Sequence, residues 1–448
     1  MATLHSTTVL LSSIKVDLLN TLLDIFLCLN LVTKTSAMQT LAPVQTKDRE
    51  LFMDVLRGLS ILGIFIANLQ FMSYYSSSFN GTYTYPSLDK KMSFLHAMFI
   101  EGKFYSIFSL LFGWGIALQM SRSKLSDTAV AKFIRRRLWF MLLLGSIHLF
   151  FIWIGDIVAF YAMLGFILIA LRKKSNKQLL VIGIVLVLLP IVLYFLKMKF
   201  LWLNAPAGIF FETSNYLQTN WAGVTKEVSE TDIIRNSTSL WTDVKMNIAV
   251  SPFRFAYLIF VSRIPKVLGM MLIGFVIGRS GFYKKVSAYK KQLRIFIIAG
   301  LIVSIPANYM LAHYMENPDS YNNLAIEGWY ETIAYALGVA TLALVYVAIL
   351  ALLFQVKFIE KILQLVAPVG KMAFTNYMSH SIIGIIVFHN IGFGYMQQLG
   401  IVALTIFAVV VFIGQLIFST IWLRYFQFGP VEWVWRSLTY GKMQEMRK

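Results

Sequence analysis

Cysteine and charge are both scarce in this chain of 448 residues, and each scarcity removes a class of protein. The single cysteine, Cys28, excludes an intrachain disulfide and any metal centre built on thiolates. Thiol redox chemistry goes with them. Charged residues make up 14% of the chain against 58% hydrophobic, with a mean hydropathy of +0.69, far from an ordinary soluble domain of this length. Alternating segments of about 10 residues, which a transmembrane barrel requires, are missing. No internal repeat of about 20–50 residues stands out and nothing is low-complexity.

What the chain has instead is long apolar runs, close to the roughly 20 residues a helix needs to cross a bilayer. They lie at about 55–73, 104–120, 138–154, 157–171, 179–197, 264–278, 293–312, 332–354, 372–390 and 402–423. The expectation is an all-α, polytopic transmembrane helical bundle of about ten spans. Its loops orient it, because positively charged short loops stay in the cytoplasm. Arg122, Lys124, Lys132, Arg135, Arg136 and Arg137 follow the second span, Arg172, Lys173, Lys174 and Lys177 the fourth, and Arg279, Lys284, Lys285, Lys290, Lys291 and Arg294 the sixth. The 313–331 loop has Glu316, Asp319, Glu327 and Glu331 with no Lys or Arg. Alternation puts both termini in the cytoplasm, and the net charge of +19 is then topology rather than a nucleic-acid surface.

Five segments follow. Residues 1–49 form an N-terminal extension whose apolar run at 18–32 is interrupted by Asp24, Cys28 and Asn30; it reads as an amphipathic piece or a mis-set start, with Met38 as the alternative to Met1. The weakly basic lead, His5 and Lys15 offset by Asp17, does not suit a cleaved signal peptide. Residues 50–197 carry the first five spans, 263–424 the second five, and 425–448 a cytoplasmic tail. Between the halves, 198–262 is an extracytoplasmic loop with interfacial helices under Trp202, Trp221 and Trp241, either covering a cavity mouth or serving as a connector.

Polar residues inside apolar spans normally face a partner, a cavity or a substrate. Arg57 and Asn68 are eleven apart in the first span, almost three helical turns, so they share a face and are separated by roughly 16 Å. Asp54 stands one turn before Arg57, either as part of a donor site or as an i,i+3 ion pair at the interface. Gln70 follows Asn68. The third and fourth spans form a tight hairpin through Gly155-Asp156-Ile157, with His148 about two turns deeper; His148 suits a general base or a structural hydrogen bond to a neighbouring helix. Glu101 and Lys103 open the second span, two apart and so not facing each other, as headgroup ligands or interfacial anchors. In the ninth span Asn376, Ser379 and His380 share one face and carry a polar stripe into the bundle. Ser379 and His380 are adjacent and point about 100° apart, a poor nucleophile and base. His389 is on the face opposite His380, and no metal-binding spacing appears.

The run 53–64 (Met-Asp-Val-Leu-Arg-Gly-Leu-Ser-Ile-Leu-Gly-Ile), Gly102-Lys103-Phe104 with 108–113, the hairpin His148…Gly155-Asp156-Ile157…Tyr161-Ala162, Thr375-Asn376-Tyr377 and the closing 429–436 together resemble the YeiB-like family of bacterial inner-membrane proteins. The resemblance covers about 50–445 and implies a multi-pass protein of the bacterial plasma membrane, with the bilayer as its partner and no nucleic acid. More distantly, the first span is similar to those of two transmembrane acyltransferase groups. The acyltransferase-3 family places a His where Asn68 stands after Arg57. The heparan-α-glucosaminide acetyltransferases keep an Asn there and add a His just beyond, whereas this chain has no His between Asn68 and His96. In the ninth span His380 stands where Gln is expected in many relatives.

The resemblance implies a membrane-embedded acyltransferase passing an acyl group from cytoplasmic acyl-CoA to an envelope glycan, lipid or other extracytoplasmic acceptor, with no resident cofactor or metal. Its cavity would be lined by the first, third and ninth helices. His148, Asn68 and Asp156 are the catalytic candidates; Arg57, Asp54, Gln70, Glu101, Lys103, Asn376 and His380 are the candidates for substrate binding. A transporter or lipid-handling protein would use the same polar stripe as a path, and an envelope scaffold would tolerate its loss. The missing symmetry between 55–197 and 264–423 favours the transferase over a transporter.

Overall fold

The computed structural model describes residues 50–75, 81–316 and 319–448, so the readings of the extension, Cys28 and Met38 lie outside the described residues. Among the described residues the chain is helical, with two isolated bridges and no strand. The helices used below are α1 Leu51–Met72, α2 Pro86–Phe99, α3 Lys103–Arg122, α4 Asp127–Phe151, α5 Val158–Leu171, α6 Asn176–Lys199, α7 Leu240–Phe260, α8 Arg263–Ser280, α9 Lys290–Tyr314, α10 Ile326–Leu353, α11 Ala373–Phe388, α12 Ile401–Tyr425 and α13 Pro430–Tyr440.

Each expected apolar run falls on a helix, but length and composition qualify fewer than ten as crossings. Six stretches are long and apolar enough, and a seventh is added if α7 and α8, bent by 68° at their joint, count as one. The shortfall has a physical origin. α5 and α11, of 14 and 16 residues, are apolar yet reach only about 21–24 Å against a hydrocarbon core of about 30 Å. α4 begins with Lys132, Arg135, Arg136 and Arg137 in its first half.

α1, α3 and α8 form the middle of the bundle, with Leu56, Ile61, Leu110, Trp114, Met271 and Leu272 buried. α6, α9 and α12 bury only 28% of their apolar windows and turn Ile184, Ile302 and Val410 outward. An apolar exterior is what lipid asks for. Because lipid is itself apolar, helices gain little by hiding apolar surface and associate through close packing of small residues. α3 and α8 show this: a Cβ on Gly113 would sit 1.8 Å from the Met271 carbonyl oxygen, and one on Gly274 would sit 1.9 Å from that of Leu110. The backbones touch, and no larger residue fits.

The bend between α7 and α8 is held from α6. Ser262 adopts φ 52°, and the Lys197 ammonium donates to the carbonyls of Ile259 and Phe260, both at 2.8 Å, and to Ser262 Oγ at 3.1 Å. A cation there satisfies carbonyls that have lost their helical donors. The 198–262 segment is itself helical at Ala205–Leu217, Glu230–Asn236 and α7, with Trp202, Trp221 and Trp241 exposed. Asn247 of α7 donates to the Ile152 carbonyl at 2.8 Å, fastening the segment to the end of α4.

Candidate functional site

Two cavities lie at opposite ends of α1. The larger, about 560 Å³, is lined by Asn68 and Gln70 from the end of α1, Glu101 and Tyr105, the turn after α4, Arg254 and Tyr257 of α7, and Ser381 of α11. The smaller, about 290 Å³, is lined by Asp54 and Arg57 at the start of α1, Arg122 and Arg137, Lys371 and Tyr377, and Glu432 and Arg436 of α13. Ile157 borders both. Tyr377 faces the smaller and Ser381 the larger, and on α11 these residues are one turn apart, about 6 Å of axial rise. The wall between the cavities is thin there.

Behind Ser381 runs a buried chain of three polar side chains, of which Ser381 lines the larger cavity and His148 and Asp156 line neither. Asp156 Oδ2 lies 2.8 Å from His148 Nδ1, and His148 Nε2 lies 2.9 Å from Ser381 Oγ. The carboxylate sets the tautomer. With Nδ1–H donating to Asp156, Nε2 keeps its lone pair and accepts the Ser381 hydroxyl. Asp156 Oδ1 takes the backbone N–H of Ala159 at 2.7 Å, so the same side chain caps the first turn of α5. Tyr377 locks this turn to α11: its Oη accepts from the Ile157 N–H at 3.1 Å and donates to the Gly155 carbonyl at 3.3 Å. Hydroxyl, imidazole and carboxylate are therefore each supplied by a different element, in the order that a nucleophile, a base and an orienting group would take.

The other candidates divide between the cavities and the bundle interior. Asn68 lines the larger cavity with no hydrogen bond from its side chain among the described residues, while Gln70 lines it and meets His96 Nδ1 at 3.2 Å. Arg57 and Asp54 form the i,i+3 pair at 2.8 Å and line the smaller cavity, so α1 presents its two polar ends to two different spaces. Glu101 reaches Arg263 at 3.6 Å in the larger cavity. Lys103 departs from the expected edge position: it is completely buried and its ammonium donates to the Ala97 carbonyl at 2.6 Å. Asn376 and His380 also line neither cavity. They turn to α12, where Gln415 bonds the Asn376 carbonyl, Ser379 Oγ and His380 Nε2, and His380 stacks on Phe65 at 3.9 Å. The shared face predicted for Asn376, Ser379 and His380 is real; its neighbour is Gln415.

Ser381, Arg254 and Glu432 were not among the sequence candidates. Ser381 meets His148 across 233 positions, which no local spacing announces. Arg254 had a signal: it is the one charged residue in 246–262. Glu432 accepts the backbone N–H groups of Phe374 and Thr375 at 2.7 and 3.1 Å, capping the start of α11 from a distant helix. Burial raises its carboxyl pKa, and these donors oppose the rise. Gly58 and Gly370 bring α1 against the approach to α11, where a Cβ on Gly370 would lie 1.7 Å from the Asp54 carbonyl oxygen. No group of His, Cys, Asp and Glu suited to a metal occurs among the described residues.

Residues 277–442 match a family described as "Protein of unknown function (DUF418)". The chain is 30% identical over 421 residues to "Uncharacterized protein YxaH" of Bacillus subtilis, covering 92% of this chain and 99% of that protein. It is 27% identical over 411 residues to "Uncharacterized protein YeiB" of Escherichia coli, covering 88% and 96%. An "Uncharacterized 39.9 kDa protein in amylase 3'region" of Bacillus acidopullulyticus is 26% identical over 414 residues, covering 89% and 96%. No solved structure matches the chain.

Proposed function

Because the chain belongs to this family of YeiB-like proteins, whose relatives' names state no reaction, we propose from the geometry of its site that it is a membrane-embedded acyltransferase. The observation that carries the reading is the buried Asp156–His148–Ser381 chain, whose Ser381 lines the larger cavity one helical turn from Tyr377 of the smaller. The proposed orientation is ten crossings in a bacterial plasma membrane with both termini cytoplasmic. The smaller cavity then faces the cytoplasm. Its basic residues Arg57, Arg122, Arg137, Lys371 and Arg436 outnumber Glu50, Asp54 and Glu432, which suits the phosphates of acyl-CoA. The larger cavity takes the acceptor, with Asn68 and Gln70 as hydrogen-bonding groups.

In the proposed reaction His148 takes the Ser381 proton while Ser381 Oγ attacks the thioester carbonyl. A C–O bond forms, the C–S bond breaks, and the leaving thiolate receives the proton from His148. The acceptor hydroxyl then gives its proton to His148 and attacks the serine ester; the ester C–O bond breaks, and Ser381 regains the proton. Asp156 holds the imidazole and steadies its cationic form. Lys103, Asn376 and His380, which reach neither cavity, are positioning residues in this scheme.

Turnover of labelled acyl-CoA by purified protein in liposomes, with a panel of acceptors, tests it. Ser381→Ala and His148→Ala are expected to lower transfer by about 10²–10⁴-fold, and Asn68→Ala by less. A labelled acyl group trapped on Ser381 would support the covalent route. Folded wild-type protein that neither hydrolyses nor transfers with any acceptor would sink the enzyme reading. A non-covalent transporter is the second reading, favoured by two cavities facing opposite ends, and it predicts uptake that survives Ser381→Ala.

A further inference from the structure

Arg254 is a charge of the larger cavity with no partner among the described residues. Of the carboxylates lining the cavity, Glu101 lies 3.6 Å from Arg263 and Glu230 accepts from Tyr74 at 2.7 Å, while Asp243 lies 3.2 Å from His389 and makes no hydrogen bond among the described residues. Arg263 is held further by the Tyr105 and Tyr257 rings and by Tyr335. Among the described residues Arg254 makes no ion pair and no hydrogen bond, and its Nε is buried with no acceptor. The ionisable groups that act on it are Arg263, Tyr257, Tyr377 and Asp156. Asp156 is committed to His148 and Ala159, and Arg263 repels it. A guanidinium enclosed within a membrane bundle is costly unless an anion meets it, and its planar fork fits the two oxygens of a phosphate or carboxylate.

We propose that Arg254 anchors an oxyanion, phosphate or carboxylate, on the molecule that fills the larger cavity. The inference rests on reading that cavity as the acceptor site, and it adds the acceptor's charge. The walls indicate the rest of the molecule. Phe71 and Phe253 line the cavity while remaining exposed on the outer surface, so an apolar body has room beside a bound headgroup. An anionic amphiphile fits this combination.

Thermophoresis of purified protein in neutral detergent reads it, with dioctanoyl phosphatidylglycerol, dioctanoylglycerol and inorganic phosphate as probes. Wild type is expected to bind the phosphatidylglycerol at least about tenfold more tightly than the neutral diacylglycerol; Arg254→Gln abolishes that preference, and Arg254→Lys keeps part of it. Competition by inorganic phosphate alone would place recognition in the oxyanion; competition by the lipid alone would add the tail, and Arg254 is the anchor in either case. The proposal is overturned if Arg254→Gln, eluting as wild type on size exclusion, keeps the anion preference, or if wild type shows none. Ser381→Ala separates the two readings. It is expected to bind the anionic probe like wild type, so failure of transfer leaves the anchor standing, whereas loss of Arg254-dependent preference defeats the anchor whatever the transfer assay shows.

Discussion

Glu230, on the short helix beside the larger cavity, carries a carboxyl whose pKa is raised first by burial; its hydrogen bond from Tyr74 acts in the opposite direction. A carboxyl with a raised folded-state pKa binds its proton more tightly when folded, so its stabilising effect is full below the ordinary carboxyl range and is lost as pH rises through the folded value. Glu230→Gln is therefore expected to melt higher than wild type at about pH 7.5, with the gap closing near pH 4. Parallel melting curves at both pH values would contradict this. The buried pair His148–Asp156 gives a second test. His148→Leu strands a carboxylate and is expected to cost about 3–5 kcal/mol; adding Asp156→Asn recovers part of that loss. Strictly additive losses in denaturant would show that the two side chains do not interact.

Among the elements, α11 is positioned from both ends of its first turns. Glu432 caps its start, and Tyr377 ties it to the turn that carries Asp156. Two motifs far apart in the chain, Thr375-Asn376-Tyr377 and the closing Gly429–Arg436 run, thus serve one helix end. Glu432→Ala is expected to lower stability by about 1–2 kcal/mol and Glu432→Gln by less, since an amide keeps one acceptor. Unfolding of the Ala variant at the wild-type midpoint would remove the cap from the account. The joint of α7 and α8 depends in the same way on one cation, Lys197.

For the whole molecule, the proposed topology puts 198–262 outside and the C-terminal tail inside. In a Cys28→Ser background, an impermeant maleimide added to spheroplasts is expected to label Thr225→Cys and to spare Lys448→Cys until the membrane is opened. Labelling of Lys448→Cys in sealed cells would invert the bundle and exchange the roles of its cavities. The helices that bury only 28% of their apolar windows are the ones that should contact lipid in such an arrangement.

Composition and the spacing of apolar runs by themselves determined an all-helical chain with six or seven helices long and apolar enough to cross a membrane, because a run of that length has few other ways to satisfy its backbone in lipid. Local spacing also carried the Arg57–Asp54 pair, the Asn376–Ser379–His380 face and the His148–Asp156 hairpin, whose members lie within a few turns of one another. Tertiary structure alone decided that Ser381 completes the chain from Asp156, that Arg57 and Asn68 face different cavities, and that Lys103, Asn376 and His380 face neither. Those facts depend on which helix packs against which across hundreds of residues. In a bundle held by close approaches such as Gly113 against Met271, that choice is made by shape rather than by the order of residues along any one helix.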